Sequence, residues 1–322
     1  MPKAVGSGRS DLVFGRWFQP ISKEFDITYR LLSSNASLGF GLYFIGLIPR
    51  VLAFPETVEY GRLFVEVFFA ALANEYVFDI CNQTMSPDED RRNRPDRPIP
   101  AGLLTVDGAF NRWVLWWVGS PLILLAMGCP AAALHLVNFE VWSFFCYVWP
   151  KPGHPFWKNP YTPVALFFSL RILNGVITPH AARLEMPLSF DAMFAAWLFA
   201  TIHVQDFHDV EGDRASGRRT LPIVLSPVQL VRLRQATAIA TVGAATLFVI
   251  LGIRLCGDQY NFWIGLFAAL QFAGGVATGL YFLRTSSARE GEITYKWLHI
   301  PTALLIIAYL SLVNCSMTAE HA

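Results

Sequence analysis

Hydrophobic residues fill this chain in long runs, and polar residues are gathered into short clusters between them. A helix needs about 20 largely apolar residues to cross a bilayer. Nine stretches meet that length, roughly 31–53, 61–83, 109–128, 131–149, 161–179, 190–210, 236–256, 261–283 and 297–316. The tightest connection is the turn at Cys129-Pro130, between the third and fourth. No repeat or low-complexity segment interrupts the pattern. It predicts an all-α integral membrane protein with one domain over 31–316, an N-terminal segment over 1–30 and a short tail over 317–322.

Composition agrees with this reading. Of 322 residues, 54% are hydrophobic and 15% charged, with mean hydropathy +0.40; a soluble domain carries roughly 25% charge. A net charge of +1 gives no ground for a nucleic-acid partner. Cys81, Cys129, Cys146, Cys256 and Cys315 lack CxxC spacing, so neither a zinc site nor a disulfide framework is expected. Residues 1–30 carry charges throughout, so the first span rather than a cleaved signal peptide is expected to direct insertion.

The 25 basic residues divide sharply across the predicted spans: 20 fall on the side of the N-terminus, 4 on the other (Arg50, Arg62, Arg183, Arg254), and Arg171 lies inside a span. By the positive-inside rule the N-terminus is cytoplasmic. The two polar clusters that follow the second and sixth spans then share the cytoplasmic side and could face each other across a bundle.

In the second cluster, 206–222, Asp206, Asp209 and Asp213 lie within about 60° of one another on an ideal helix. Three like charges on one face repel. Divalent cations relieve that, and Mg²⁺ binds through one or two carboxylates plus substrate phosphates. Gly212 and Gly217 allow a bend, and Arg214, Arg218 and Arg219 follow. The first cluster, 74–102, repeats the logic. Asp79, Asn82 and Gln83 share a helical face, with Glu75 one turn earlier. Ser86-Pro87 breaks the helix, which predicts a loop for Asp88, Glu89 and Asp90. Arg91, Arg94 and Arg97 come next, with Pro95, Pro98 and Pro100 stiffening the loop. A solvated helix end with a basic loop is the plain alternative for either cluster alone. Two together favour paired metal–diphosphate sites.

At this point the chain resembles the UbiA superfamily of intramembrane prenyltransferases, which has nine transmembrane helices in a bundle around a central apolar cavity and aspartate-rich motifs after the second and sixth. Arg97-Pro98-Ile99-Pro100-Ala101-Gly102 matches the loop that follows the family's first motif. Asp209 to Asp213, then Gly217 and Thr220-Leu221-Pro222, match the second. The first motif departs from the usual N-x-x-x-D-x-x-x-D. Glu75 takes the asparagine spacing, Asn74 falls one residue out of step, and Gln83 stands where a second aspartate is usual. This form resembles the fungal specialised-metabolism branch, which includes membrane-bound terpene cyclases. The resemblance implies Asp79, Asn82 and Asp90, with Glu89 as a substitute, as first-site ligands. Asp79 and Asp209 are the expected catalytic centres. It also implies that Tyr147 and Lys158 meet the diphosphate, the alternative being an interfacial aromatic and a positive-inside charge; Arg94, Arg97 and Arg218 are placed in the two loops to meet its oxygens.

Arg171 and Asn174 share a face of the fifth span and are assigned to the diphosphate, the alternative being a structural pair with Glu66 or Glu75. His203, His208 and Glu140 receive no role. The expected chemistry is Mg²⁺-assisted ionisation of a farnesyl or geranylgeranyl diphosphate in a dry cavity, followed by cyclisation. Transfer to an aromatic or other lipophilic acceptor uses the same clamp. A transporter is disfavoured because the acidic groups gather at helix ends rather than at the midplane. No obligate protein partner is inferred, and the endoplasmic reticulum is the expected membrane in a eukaryote.

Overall fold

The structure, a computed structural model, describes residues 10–51, 53, 58–149, 155–215, 217 and 219–319, with the side chains of all of these except 10–20, 155–159 and 319. Among the described residues there is no strand. Helix α1 (Ser10–Leu32) meets α2 (Ala36–Val51) at an 87° bend. Then come α3 (Tyr60–Met85), the short α4 (Pro87–Asn93), α5 (Val106–Ala126), α6 (Pro130–Tyr147) and α7 (Pro155–Ala181). Helix α8 (Leu188–Thr201) tightens into a 3₁₀ stretch, Ile202–Phe207, before the short α9 (Val210–Ala215) and α10 (Leu221–Val224). The chain closes with α11 (Pro227–Cys256), α12 (Phe262–Arg284), α13 (Ala288–Glu292), a π-helical stretch Ile293–His299, and α14 (Ile300–Ala319).

Each predicted span overlaps a helix, although 31–53 runs across the α1–α2 bend and 190–210 continues past the end of α8 at Thr201. Among the described residues, Pro160–Leu184, Pro227–Gln259, Phe262–Arg284 and Ala288–Thr318 are long and apolar enough to cross a membrane on length and composition alone; the bent α1–α2 pair would make a fifth. Helix α3 instead carries Arg62, Glu66, Glu75 and Asp79, and α8 runs only 14 residues before it tightens.

Local chemistry sets the helix ends. The Thr105 hydroxyl accepts from the Gly108 amide to start α5. Ser226 and Gln229 form a capping box at α11, with Pro227 at the first position, where its missing N–H costs nothing. The Asn261 side chain accepts from the amides of Trp263 and Ile264 to begin α12. The turn between α5 and α6 falls at Cys129-Pro130, as the sequence predicts, after Gly128 at φ +86°.

Lipid tails are as apolar as leucine, so close packing rather than water exclusion holds such helices together. Helices α6 and α7 show how. A Cβ on Gly175 would meet the Ala131 carbonyl carbon and the Ala132 Cα at 2.8 Å, so only glycine permits that approach. Around it Leu170, Ile172, Leu173, Val176 and Ile177 are fully buried. The opposite surfaces are greasy and exposed, with Val114, Leu115, Val118 and Leu122 on α5 and Leu247, Ile250 and Ile253 on α11. These suit contact with lipid.

Candidate active site

The first polar cluster is built on the end of α3. Asp79 is fully buried, and its Oδ1 accepts a 2.6 Å hydrogen bond from the Asn35 side chain. Asn35 sits in the bend between α1 and α2, so that bend delivers the amide to the carboxylate. The Asp79 Oδ2 is buried and has no hydrogen-bond partner among the described residues. Pro87 ends α3, as expected, but Asp88, Glu89 and Asp90 are not a loop: they form the first turn of α4. Proline's fixed φ suits the first helical position, and acids are favoured at a helix N-terminus. Asp90 is buried and accepts from Arg97 Nη1 at 2.7 Å; Arg97 also donates to the Ser34 hydroxyl at 3.1 Å. Arg97 thereby fastens its loop to both α4 and the α1–α2 bend. Pro98 O accepts from the amides of Leu103 and Leu104, and Gly102 supplies the positive φ of +72° that the turn needs.

The second cluster is not the single helical face that the spacing predicts. Asp206 lies in the 3₁₀ stretch, Asp209 at its exit, and Asp213 in α9. Asp206 and Asp213 are 2% exposed, whereas Asp209 is exposed, with its carboxylate against Gly212. The change of helix type is what separates them.

Between the clusters lies a cavity of about 550 Å³. Its polar mouth is formed by Asn35, Asn82, Arg94, Arg97, Gln205, His208 and Lys296. Its interior is lined by Leu38, Phe78, Phe139, Tyr147, Tyr161, Ala165, Leu166 and Ile300. Tyr147 and Tyr161 meet edge to face at 4.7 Å between centroids, and Phe78 stacks on Tyr161 at 5.2 Å. A small polar patch interrupts the apolar wall: the Ser169 hydroxyl donates to Asn74 Oδ1 at 2.8 Å, beside Glu75. Glu75 fits there because residue 39 is glycine; a Cβ would overlap its carboxylate.

Of the residues singled out from sequence, Glu75, Asn82, Arg94, Arg97 and Tyr147 line this cavity, and Asp79 is tied to it through Asn35; Asp206, Asp209 and Asp213 are not among its lining residues, and their cluster reaches it through Gln205 and His208. Others stand elsewhere. Gln83 turns away and donates to the Leu31 carbonyl at the end of α1, 3.1 Å. Glu89 is half-buried on α4 and Asp90 serves Arg97. The Lys158 side chain and Arg218 lie outside the described residues.

Arg171 and Asn174 do not reach the mouth. Arg171 pairs with Asp191 at 3.1 Å and Glu185 at 2.5 Å. Asn174 Nδ2 donates to Asp191 at 3.1 Å, and its Oδ1 accepts from the fully buried Arg50 at 2.6 Å. Arg50 stands near the opposite end of α2 from Asn35, about 22 Å along the helix. These residues form a polar lock at the far pole, with partners other than the Glu66 and Glu75 weighed from sequence. Glu66 is engaged there too, by Arg62 at 2.7 Å and His180 at 2.6 Å.

Sequence reasoning missed Asn35, Ser169, Tyr161 and Gln205, and gave His208 and Lys296 no role in the site. The one available signal was the polar triplet Ser33-Ser34-Asn35 at the start of a predicted span.

Among the described residues no three His, Cys, Asp or Glu side chains form a ready-made metal cage. The donors nevertheless fit Mg²⁺, which takes one or two carboxylates and completes its shell with water and phosphate oxygens. The buried Asp79 Oδ2, without a hydrogen bond among the described residues, is the oxygen such an ion needs.

A model of the UbiA prenyltransferase family matches residues 42–313. The diterpene cyclase eriG of Hericium erinaceus is 30% identical over 64% of this chain and 66% of its own length, just under two thirds. The polyprenyl transferase eriF of the same organism is 28% identical over 76% of this chain and 90% of its own. In fold, a solved digeranylgeranylglyceryl phosphate synthase superposes with a TM-score of 0.60 at 15% identity, covering 91% of this chain and 99% of that one. A UbiA homolog from Archaeoglobus fulgidus bound to DMAPP and Mg²⁺ gives 0.60 at 14% identity, covering 89% and 99%. At such identities the likeness shows the fold.

Proposed function

The chain belongs to the UbiA prenyltransferase family, and from that premise we propose that it is a terpene cyclase: it ionises an allylic prenyl diphosphate and folds the resulting cation onto its own double bonds. Members of the family are integral membrane enzymes that use prenyl diphosphates, which is the general chemistry here. The observation that carries the reading is the two-part cavity, cationic and amide-lined at its mouth and aromatic inside. Its volume of about 550 Å³ lies within the range of small-molecule pockets.

Arg94 and Arg97 meet the diphosphate oxygens. Asp79 and Asn82 on one side, and Asp206, Asp209 and Asp213 on the other, would hold Mg²⁺. When bound, the metal supplies positive charge as negative charge develops on the leaving group. Breaking the C1–O bond leaves both electrons on diphosphate and an allyl cation in the cavity. Phe78, Tyr147 and Tyr161 present rings whose π faces stabilise a cation, and the apolar walls exclude the water that would quench it. The substrate's own alkene then supplies the electrons for the new C–C bond, which moves the positive charge to the alkene's other carbon; loss of a neighbouring C–H proton to the released diphosphate gives a cyclic hydrocarbon, and capture of one water with loss of its proton gives an alcohol. The departure of the first motif from the usual pattern, and the similarity to eriG, support cyclisation. By the distribution of basic residues the mouth faces the cytoplasm.

One feature favours a second reading. The Asn74–Ser169–Glu75 patch places hydrogen-bonding groups inside an apolar wall, which suits a hydroxyl-bearing acceptor and hence prenyl transfer. Incubation of purified protein with Mg²⁺ and geranyl, farnesyl or geranylgeranyl diphosphate, with no acceptor, separates the two. A cyclic hydrocarbon or alcohol is the expected product. Turnover that begins only when an acceptor is added would exclude cyclisation.

A further inference from the structure

The segment joining α12 to α14 approaches the cavity mouth in a way the reaction above does not use. Its backbone is pressed against the second acidic cluster: a Cβ on Gly291 would meet the Phe207 carbonyl at 2.7 Å and the His208 amide nitrogen at 2.8 Å. Four residues on, the ring of Tyr295 stacks on His208, 5.6 Å between centroids and 13° between planes. Here the helix widens to π geometry, which recurs at functional positions. Tyr295, Lys296 and Trp297 all line the cavity.

Lys296 Nζ donates to Glu292 Oε1 at 2.7 Å, with side chains 42% and 47% exposed. An exposed pair one turn apart contributes little, so exchanging it for another anion costs little. Glu292 also lies within electrostatic range of His208 and Arg94. One carboxylate thus pairs with Lys296 and feels the longer-range fields of His208 and Arg94, which come from two other parts of the chain.

We propose that Glu292 holds the place of an anion, and that Lys296 is a further diphosphate-binding residue which exchanges Glu292 for the substrate's diphosphate. A diphosphate carries more charge than a carboxylate and presents more oxygens, so it competes effectively for Lys296 and Arg94 together. The α13–π segment thereby joins the first arginine loop and the second acidic cluster as a third wall of the mouth. This inference rests on the diphosphate reading of the cavity.

The test is binding of inorganic pyrophosphate with Mg²⁺ to the purified full chain, with melting temperature measured alongside. Lys296→Gln is expected to bind about tenfold more weakly or worse, while Lys296→Arg keeps most of the affinity. Glu292→Gln, which removes the competing carboxylate, is expected to bind more tightly. If the pair is only a structural staple, Lys296→Gln and Glu292→Gln melt earlier by similar amounts and bind pyrophosphate as the wild type does. That result overturns the proposal, as does weaker binding by Glu292→Gln. Should Lys296→Gln fail to fold, Glu292→Gln alone decides. Wild-type protein that neither binds pyrophosphate nor turns over prenyl diphosphates defeats the diphosphate reading itself, and the role of Lys296 with it. Normal wild-type binding with an unaffected Lys296→Gln defeats the role of Lys296 alone.

Discussion

Replacing Arg171 by methionine separates a structural cation from a substrate-binding one. The Arg171 side chain is 13% exposed, and its partner Asp191 is 0% exposed. After the change Asp191 keeps the 3.1 Å bond from Asn174 and the more distant charge of Arg50 but loses its directly bonded cation. Removing one member of a buried pair costs about 3–5 kcal/mol. Glu185, 35% exposed, recovers water and adds little. For a chain this long each kcal/mol moves the melting temperature by about 2 °C, so a drop of about 6–10 °C is expected. The KM for prenyl diphosphate should not change, because the lock lies at the far pole from the mouth. Adding Asp191→Leu removes the stranded carboxylate but also takes an opposite charge from the fully buried Arg50, so it should return only part of the loss. Melting curves of the detergent-purified variants and initial-rate kinetics check both parts. An Arg171→Met protein that melts like wild type while its KM rises about tenfold would refute the reasoning and restore Arg171 to the diphosphate.

The remaining expectations concern the mouth. Asp79→Asn keeps an acceptor for the Asn35 amide, so melting should change little while turnover falls on the order of 10²–10³, the usual cost of one electrostatic contact at the reacting centre; near-normal rates would remove Asp79 from the mechanism. Gln83→Leu loses the bond to the Leu31 carbonyl and should cost about 1 kcal/mol of stability with KM unchanged, whereas a raised KM would make Gln83 a ligand after all. Stripping divalent metal with EDTA should abolish turnover and Mg²⁺ should restore it; full activity in the chelator counts against the proposed ion. Gly175→Val must push α6 and α7 apart and should lower the melting temperature, and an unchanged melt would mean that contact is not tight.

Span positions and the two acidic clusters were legible because each is a local pattern: apolar length in one case, charges at the edge of an apolar run in the other. Asp79 stands out for that reason. What the sequence hides is partnership across the bundle. Asn35 looks like an ordinary turn residue until α2 packs on α3 and brings it to a carboxylate 44 positions away. Arg171 looked like a ligand because a charge in a span needs a partner, and the sequence does not say at which pole it finds one. Its partners lie 14 and 20 positions later, at the α7–α8 connection and in α8. The 3₁₀ stretch Ile202–Phe207 was hidden for another reason. The stretch contains neither proline nor glycine, so only packing against Gly291 and its surroundings distinguishes it from continuous helix.

The bend between α1 and α2 bears on how the protein is made. Among the described residues, the α1 side of the bend is held by groups that come later in the chain: the Gln83 side chain on the Leu31 carbonyl, the Asp96 carbonyl accepting from Arg30, and Arg112 on Glu24. A nascent chain therefore cannot dock α1 as it emerges. That helix must wait at the membrane for roughly 80 more residues, which at ribosomal speed is about 4–16 s. The Asn35–Asp79 contact becomes final only when that wait ends, and the mouth is complete only after Gln205, His208 and Lys296 have followed.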